Sequence, residues 1–296
     1  MPSRFVGPLC SRRYSIRPFR SARTSLPDRV HFRSMKLPLV CITACVLSML
    51  GACDSFEQAR GARSIFQLIQ GPTPTQAAEW ALDEYDPNAR YRGIMILANQ
   101  PFGGEPLYMQ LYVEAVGDED AGVRSAGVRG LALHGSPEHV PLLVETLDDP
   151  DAIVRLDSAR ALQRIHNPLA IPALLKHLNI DNEENELVRA ECAHALGQYA
   201  QPRVVDALIA SLADPNLAVN EATRSSLRTL TGQDFGLDMA AWVEWTRSTD
   251  DLFAARSAYF FPAFYRDRKL IELLPFIPDP PNETASLPVG MSPAIE

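Results

Sequence analysis

The chain has 296 residues, with 28 Lys and Arg against 36 Asp and Glu, and a formal net charge of −8 at pH 7. The charge is unevenly divided: residues 1–34 contain eight Arg and one acidic residue, whereas residues 53–296 contain 19 basic and 35 acidic residues, a net charge of −16. An acidic body repels polyanions, so this composition argues against nucleic acid as a partner.

Residues 37–50 form an apolar run directly behind Lys36. A basic start, an apolar centre and small residues before a cut describe a secretory signal. The run is also shorter than the roughly 20 residues that a membrane-spanning helix needs. We therefore predict that residues 1–52 are a leader, with translation starting at either Met1 or Met35. The composition of the stretch before Met35 also fits a transit peptide, and a motif within that stretch resembles a twin-arginine signal.

The leader ends in Leu50-Gly51-Ala52-Cys53, which resembles the bacterial lipobox at all four positions. The resemblance implies that the Cys53 thiol receives a diacylglyceryl group and that Cys53 becomes the first mature residue. We therefore predict a bacterial lipoprotein of the cell envelope, anchored to a membrane by its lipid and facing the periplasm or the exterior. Asp54 resembles an inner-membrane retention signal that varies among phyla, which leaves inner and outer membrane both open. Residues 53–71 then link the lipidated cysteine to the folded body.

A pattern recurs five times beyond residue 72. An Asp or Asn stands four residues before an anchor residue, an apolar residue precedes the anchor, and a Leu follows it by seven. The anchors, spaced by 34, 31, 34 and 31 residues, are Arg90, Arg124, Arg155, Arg189 and Asn220. Asp and Asn are favoured helix N-caps, and apolar positions at −1, +4 and +7 form one stripe of a helix. A fixed period of about 30 to 35 residues indicates a solenoid of stacked units.

Each unit also contains an earlier helix. An eleven-residue amphipathic segment begins at Pro106, Pro137, Pro168 and Pro202. Proline suits the first helical position, where its missing N–H costs nothing. Residues 72–82 are a weaker fifth copy, with Glu79 at an expected apolar position. The unit is therefore helix A, a turn and helix B.

These repeats resemble HEAT repeats, in particular the short variety found in phycobilisome-lyase-like proteins. Pro141 and Pro172 inside helix A match the kinked first helix of that family. The resemblance covers residues 72–230 and implies an all-α fold, an α-solenoid of about five HEAT-like helix pairs with a C-terminal capping helix. It also implies a binding or scaffolding role for a protein partner. The alternative that it implies is a subunit of a lyase or isomerase-type enzyme.

Residues 231–248 depart from the repeat. Asp238 is a candidate N-cap for a helix that contains Trp242 and Trp245. A solenoid needs a terminal unit that closes its core, and two Trp three residues apart suit that purpose. We predict that this segment caps the array.

Residues 249–296 form a tail that is first aromatic and then rich in Pro. Its aromatic part, residues 252–265, is expected either to pack back on the array or to meet a partner. The last twenty or so residues are expected to be disordered or polyproline-like, because prolines interrupt any regular element.

The sequence contains none of the phosphate-binding, metal-binding or catalytic motifs that we searched for. It has no Gly-rich phosphate loop, no Cys pair with metal spacing and no nucleophile elbow, and its array histidines fall at different register positions. We therefore predict no cofactor, no metal site, no catalytic residue and no enzymatic activity. Cys192 is predicted to be a small buried residue rather than a reactive thiol.

The four anchor arginines are predicted to brace adjacent repeats through acid–Arg pairs. A second set faces outward from helix B, which lines the concave face in this architecture. This set comprises Arg129, Arg160 and His194 at +5 and Arg164 at +9. We predict that these four residues bind an extended acidic segment of a protein partner. Replacing the three arginines by Ser is expected to cost little stability, since exposed pairs contribute about 0–1 kcal/mol.

Overall fold

The computed structural model describes residues 72–261, 266–269, 273 and 282–291. Cys53 and the predicted leader lie outside these residues. Within them, eleven α-helices follow one another: α1 (Pro74–Ala81), α2 (Pro87–Ala98), α3 (Pro106–Ala115), α4 (Ala121–His134), α5 (Val140–Thr146), α6 (Ala152–Arg164), α7 (Ile171–Leu178), α8 (Glu186–Leu196), α9 (Pro202–Ser211), α10 (Leu217–Thr231) and α11 (Met239–Ser248). None of these helices is both long and apolar enough to span a bilayer.

The even-numbered helices α2 to α10 are the predicted B helices, and each begins at its predicted N-cap. Every cap accepts a hydrogen bond from a backbone N–H of the first helical turn, which would otherwise have no partner. These caps are Asp86, Asp120, Asp151, Asn185 and Asn216. The repeat pattern therefore marks the helix starts correctly.

The odd-numbered helices α1 to α9 are the A helices. In the third and fourth units they begin with 3-10 turns, Pro137–His139 and Pro168–Ala170, which continue into α5 and α7. The change of helix type comes just before Pro141 and Pro172, because a proline cannot donate the backbone hydrogen bond of an α-helix. What the sequence suggests as a kink inside one helix is thus a junction between two helix types.

Each B helix packs against the A helix of its own unit and against the neighbouring B helices. One continuous apolar core runs through the units from Ala77 to Trp242. Small residues permit the close approach: a Cβ added at Gly93 would lie 2.4 Å from the carbonyl oxygen of Ala77. Cys192 occupies the corresponding position in α8 and is fully buried, as predicted. Burial raises the pKa of its thiol, so the neutral form persists at neutral pH.

The last repeat ends at Gly232, whose φ of 70° is left-handed and therefore suits glycine. The predicted cap helix α11 follows, and the Asp238 carboxylate accepts from the Ala241 N–H at 3.0 Å. Trp242 is fully buried and meets the Phe235 ring edge-on, with 4.9 Å between centroids. Its indole therefore closes the end of the core, as the sequence predicts.

Candidate partner-binding surface

The four anchor arginines brace neighbouring repeats, as predicted. Each guanidinium donates from Nε and Nη2 to one carboxylate of the next repeat, at 2.7–3.1 Å. Each Nη1 also donates to carbonyl oxygens of the loop before its own helix. The pairs are Arg90–Asp118, Arg124–Asp149, Arg155–Glu183 and Arg189–Asp214. We call these four the brace pairs.

Sequence reasoning did not identify the acidic halves of the brace pairs. They are not the N-caps: each stands two residues before the next N-cap, and its oxygen also accepts the N-cap N–H at 2.8–3.0 Å. The signal was nevertheless present, because an acidic residue stands six positions before every anchor in the sequence. Forked Arg–carboxylate contacts of this kind are strong and geometrically specific.

The predicted partner-binding residues Arg129, Arg160, Arg164 and His194 form what we call the row. Arg129 donates from Nε to the Asp157 carboxylate at 2.8 Å, and Arg160 donates from Nε to Glu191 at 2.9 Å. Each acid belongs to the following B helix, so the row also links neighbouring repeats. The Arg160 side chain nevertheless keeps 48% of its surface exposed.

Arg129 does not fit the expectation that replacing an arginine of the row costs little stability. Its partner Asp157 has a side chain only 4% exposed, and the Ser125 hydroxyl donates to the same oxygen at 2.6 Å. Removing Arg129 would leave a buried carboxylate short of a charged partner, which is costly. The expectation of little stability loss therefore fails at Arg129 and applies best to Arg160.

His194 is a partly buried member of the row. Burial lowers the pKa of its imidazole below the ordinary value of 6.5, although the nearby Glu191 acts in the opposite direction. The imidazole is therefore neutral at pH 7. His194 can contribute hydrogen bonding to a partner but no positive charge.

Arg164 is held by the tail. Its guanidinium forms an ion pair with Glu283, more than one hundred residues away in sequence, and lies over the Phe261 ring with 4.8 Å to the centroid. A cation over an aromatic face adds to the attraction between the two segments. Arg164 thus links α6 with both the aromatic part and the later part of the tail.

The described tail packs back on the array. Tyr259 and Phe261 are 8% exposed, whereas Phe260 between them is 55% exposed. Val289 donates its N–H to the Arg164 carbonyl at 2.8 Å and accepts from the His166 N–H at 2.8 Å. The expectation of disorder is therefore wrong for residues 282–291, because these bonds and the Glu283 ion pair hold them.

A cavity of about 340 Å³ remains where the tail meets the ends of α6, α8 and α10. His166, Gln198, Thr229, Tyr259 and Met291 are among the residues that line it. Among the described residues, the Tyr259 hydroxyl is buried without a hydrogen-bond partner. The tail therefore covers this junction without filling it completely.

No group of three or more His, Cys, Asp or Glu within the described residues is arranged to hold a metal ion. His177 has an acidic neighbour at each ring nitrogen. Its Nε2 lies 3.0 Å from Asp148 and its Nδ1 lies 3.2 Å from Glu183. Glu183 is already engaged by Arg155, so His177 belongs to the bracing between repeats.

Three overlapping segments, residues 75–163, 109–184 and 147–228, match the family of HEAT repeats. Together they cover more than half of the chain, and the fold and brace pairs agree with that match. The chain belongs to the HEAT-repeat family. No curated protein matches it.

Solved structures that resemble this chain share low sequence identity with it. One engineered protein is 16% identical to this chain. The alignment covers 60% of this chain and 90% of the engineered protein, with a TM-score of 0.41. The Escherichia coli protein YibA is 19% identical, with coverages of 73% and 90% and a TM-score of 0.43. A designed armadillo repeat protein is 15% identical, with coverages of 62% and 95% and a TM-score of 0.41.

Proposed function

We propose that this protein is a bacterial lipoprotein of the cell envelope whose HEAT array binds an extended acidic segment of a protein partner. Its lipid anchor is Cys53, and its role is binding or scaffolding rather than catalysis. The lipobox-like Leu50-Gly51-Ala52-Cys53 supports the anchor, and the acidic charge of residues 53–296 argues against nucleic acid. Nothing among the described residues favours the lyase or isomerase alternative.

One observation carries the binding role. An acidic side chain from a distant, non-helical segment, Glu283, is paired with Arg164 of the row. Arg160 lies one helical turn before Arg164, and its ion pairs with Glu191 and Asp157 engage Nε and Nη1. Since an arginine has five N–H donors in a planar fork, Arg160 retains donors for a further carboxylate. The row therefore suits a segment that carries acidic side chains.

The experiment compares two double variants of the full chain. Arg160→Ser with Arg164→Ser removes two positive charges from the row, and Arg203→Ser with Arg247→Ser removes two exposed positive charges from α9 and α11. Wild type and both variants are used to capture proteins from detergent-solubilised membranes of the source cells. We expect the row variant to lose the captured partner and the control variant to retain it. Equal recovery with the row variant would contradict the proposed function.

The anchor is tested separately. Cys53→Ser removes the thiol that accepts the diacylglyceryl group, so the variant should stay unprocessed and should incorporate no labelled lipid. A lipid-labelled mature form of Cys53→Ser would rule out Cys53 as the attachment site.

A further inference from the structure

The end of α6 offers free backbone groups to an extended segment. The last carbonyls of a helix lack partners within it, and Ile165 leaves α6 in an extended conformation with φ −125° and ψ 114°. Val289 pairs with this stretch as a parallel bridge: it donates to the Arg164 carbonyl and accepts from the His166 N–H. Such pairing is how an extended peptide adds to an exposed backbone edge.

From this pairing and the Arg164–Glu283 contact we propose a strand-addition site at the end of α6. We infer that residues 282–291 are its internal ligand and compete there with the partner. This inference rests on the proposed function and specifies the site, the partner chemistry and its regulation. The partner segment would be extended and would carry a carboxylate about six residues before the backbone that pairs with Arg164 and His166, as Glu283 and Val289 do.

The internal ligand makes few polar contacts with the array. Of residues 282–291, only Pro288 is buried, and Val289 is 53% exposed. A segment that buries little apolar surface opens at low free-energy cost. The Glu283 ion pair and two backbone bonds join it to the array, and further hydrogen bonds join Ser286 to Phe261 and Asn282 to Arg266 within the tail.

The fit of the internal ligand is also incomplete. The cavity of about 340 Å³ lies where Leu287, Gly290 and Met291 meet the array. Protein interiors are normally filled, so a better-fitting segment would gain contacts that the tail leaves unmade. The tail therefore resembles a competitor that a partner can displace.

Gly290 limits which segments can replace the tail. Its φ of 89° is left-handed, and a Cβ there would lie 2.5 Å from Pro137 and 3.0 Å from the His166 carbonyl oxygen. A residue with a side chain is disfavoured both by this conformation and by these neighbours. We expect a partner segment to place glycine directly after its pairing residue.

The test uses a fluorescent peptide of residues 282–291 and three forms of the full chain. The released variant carries Glu283→Gln and Val289→Pro, which remove the ion pair and the N–H donated to Arg164. The matched control, Val289→Ala, keeps that N–H and changes a half-exposed side chain. Release is confirmed by faster hydrogen exchange of the His166 amide, whose acceptor is Val289.

We expect the peptide to bind the released variant about tenfold or more tightly than wild type or Val289→Ala, because a docked tail reduces the fraction of free sites. A peptide with Glu283→Gln should bind more weakly, and this comparison leaves the folding of the protein untouched. Equal binding to released and wild-type protein, or no loss with the Glu283→Gln peptide, would overturn the proposal. If the peptide fails while partner capture still depends on Arg160 and Arg164, the inference fails and the proposed function stands.

Discussion

The brace pairs and the row use the same chemistry, an arginine facing an acid from another segment, in different surroundings. In the brace, the Arg189 and Asp214 side chains are each 4% exposed, and Arg189 also donates to two carbonyls of its own loop. In the row, Arg160 makes one short bond to Glu191 and stays about half exposed. The same residue type is thus fully engaged at one place and partly available at the other.

This difference separates an architectural contact from an exchangeable one. A buried ion pair whose remaining donors are satisfied is costly to break, because either partner alone would be left buried and charged. An exposed pair contributes little, since water solvates both groups when they part. The brace pairs should therefore define the stacking of repeats, and Arg160, the exposed arginine of the row, should be open to another molecule.

The largest expected effect comes from breaking a brace. Arg189→Ala leaves Asp214 buried and unpaired, so the free energy of unfolding should fall by about 3–5 kcal/mol. Chemical denaturation measures this loss, and the exposed Arg203→Ala serves as the control. A loss as small as that of the control would show that the brace does not hold the repeats together.

The core provides a reference for the brace. Leu162 is fully buried in α6, so Leu162→Ala should lower the free energy of unfolding by about 2–5 kcal/mol. If this loss and that of Arg189→Ala are similar, the brace is as integral to the array as its apolar core. A denaturation curve that coincides with wild type would mean that Leu162 does not occupy the assigned core position.

The brace should also depend on pH. Burial raises the pKa of Asp149, but the hydrogen bond from Arg124 and the contacts with Asp151 and Arg155 outweigh it, and the pKa lies below its ordinary value of 3.8. A carboxyl with a lowered folded-state pKa stabilises the fold above its unfolded pKa and loses that contribution as the pH falls through the folded value.

The cost of Arg124→Gln should accordingly be largest near neutral pH and should shrink as the pH falls below about 4. Melting temperatures of wild type and variant across this range measure the difference, with Arg203→Gln as the control. A gap between wild type and Arg124→Gln that is unchanged down to about pH 3 would argue against a role for the Asp149 charge.

The smallest effect on stability is expected in the row. Arg160→Ser should lower the free energy of unfolding by only about 0–1 kcal/mol, because Arg160 is about half exposed. Denaturation of this single variant measures it. A loss as large as that of Arg189→Ala would place Arg160 among the architectural contacts and would remove the basis for an exchangeable row.

Much of the array could be predicted from local sequence. N-caps such as Asp120 and Asn216 act within one helical turn, and the apolar stripe of a helix depends only on spacing, so both are visible in the chain itself. The buried position of Cys192 follows from the same register, and that of Trp242 follows from the need to close the end of the core. The acidic halves of the braces were also within reach, because they stand at a constant offset from each anchor.

The sequence by itself determined the helix pairs, their starts, the solenoid class and the acidic character of the body, because propensity, capping and periodicity are local properties. Only the tertiary structure decided which acid each arginine meets, since Arg129 finds Asp157 and Arg160 finds Glu191 through the stacking of helices. It also decided the place of the tail, because the contact between Glu283 and Arg164 joins residues far apart in the chain and no local pattern encodes that pairing.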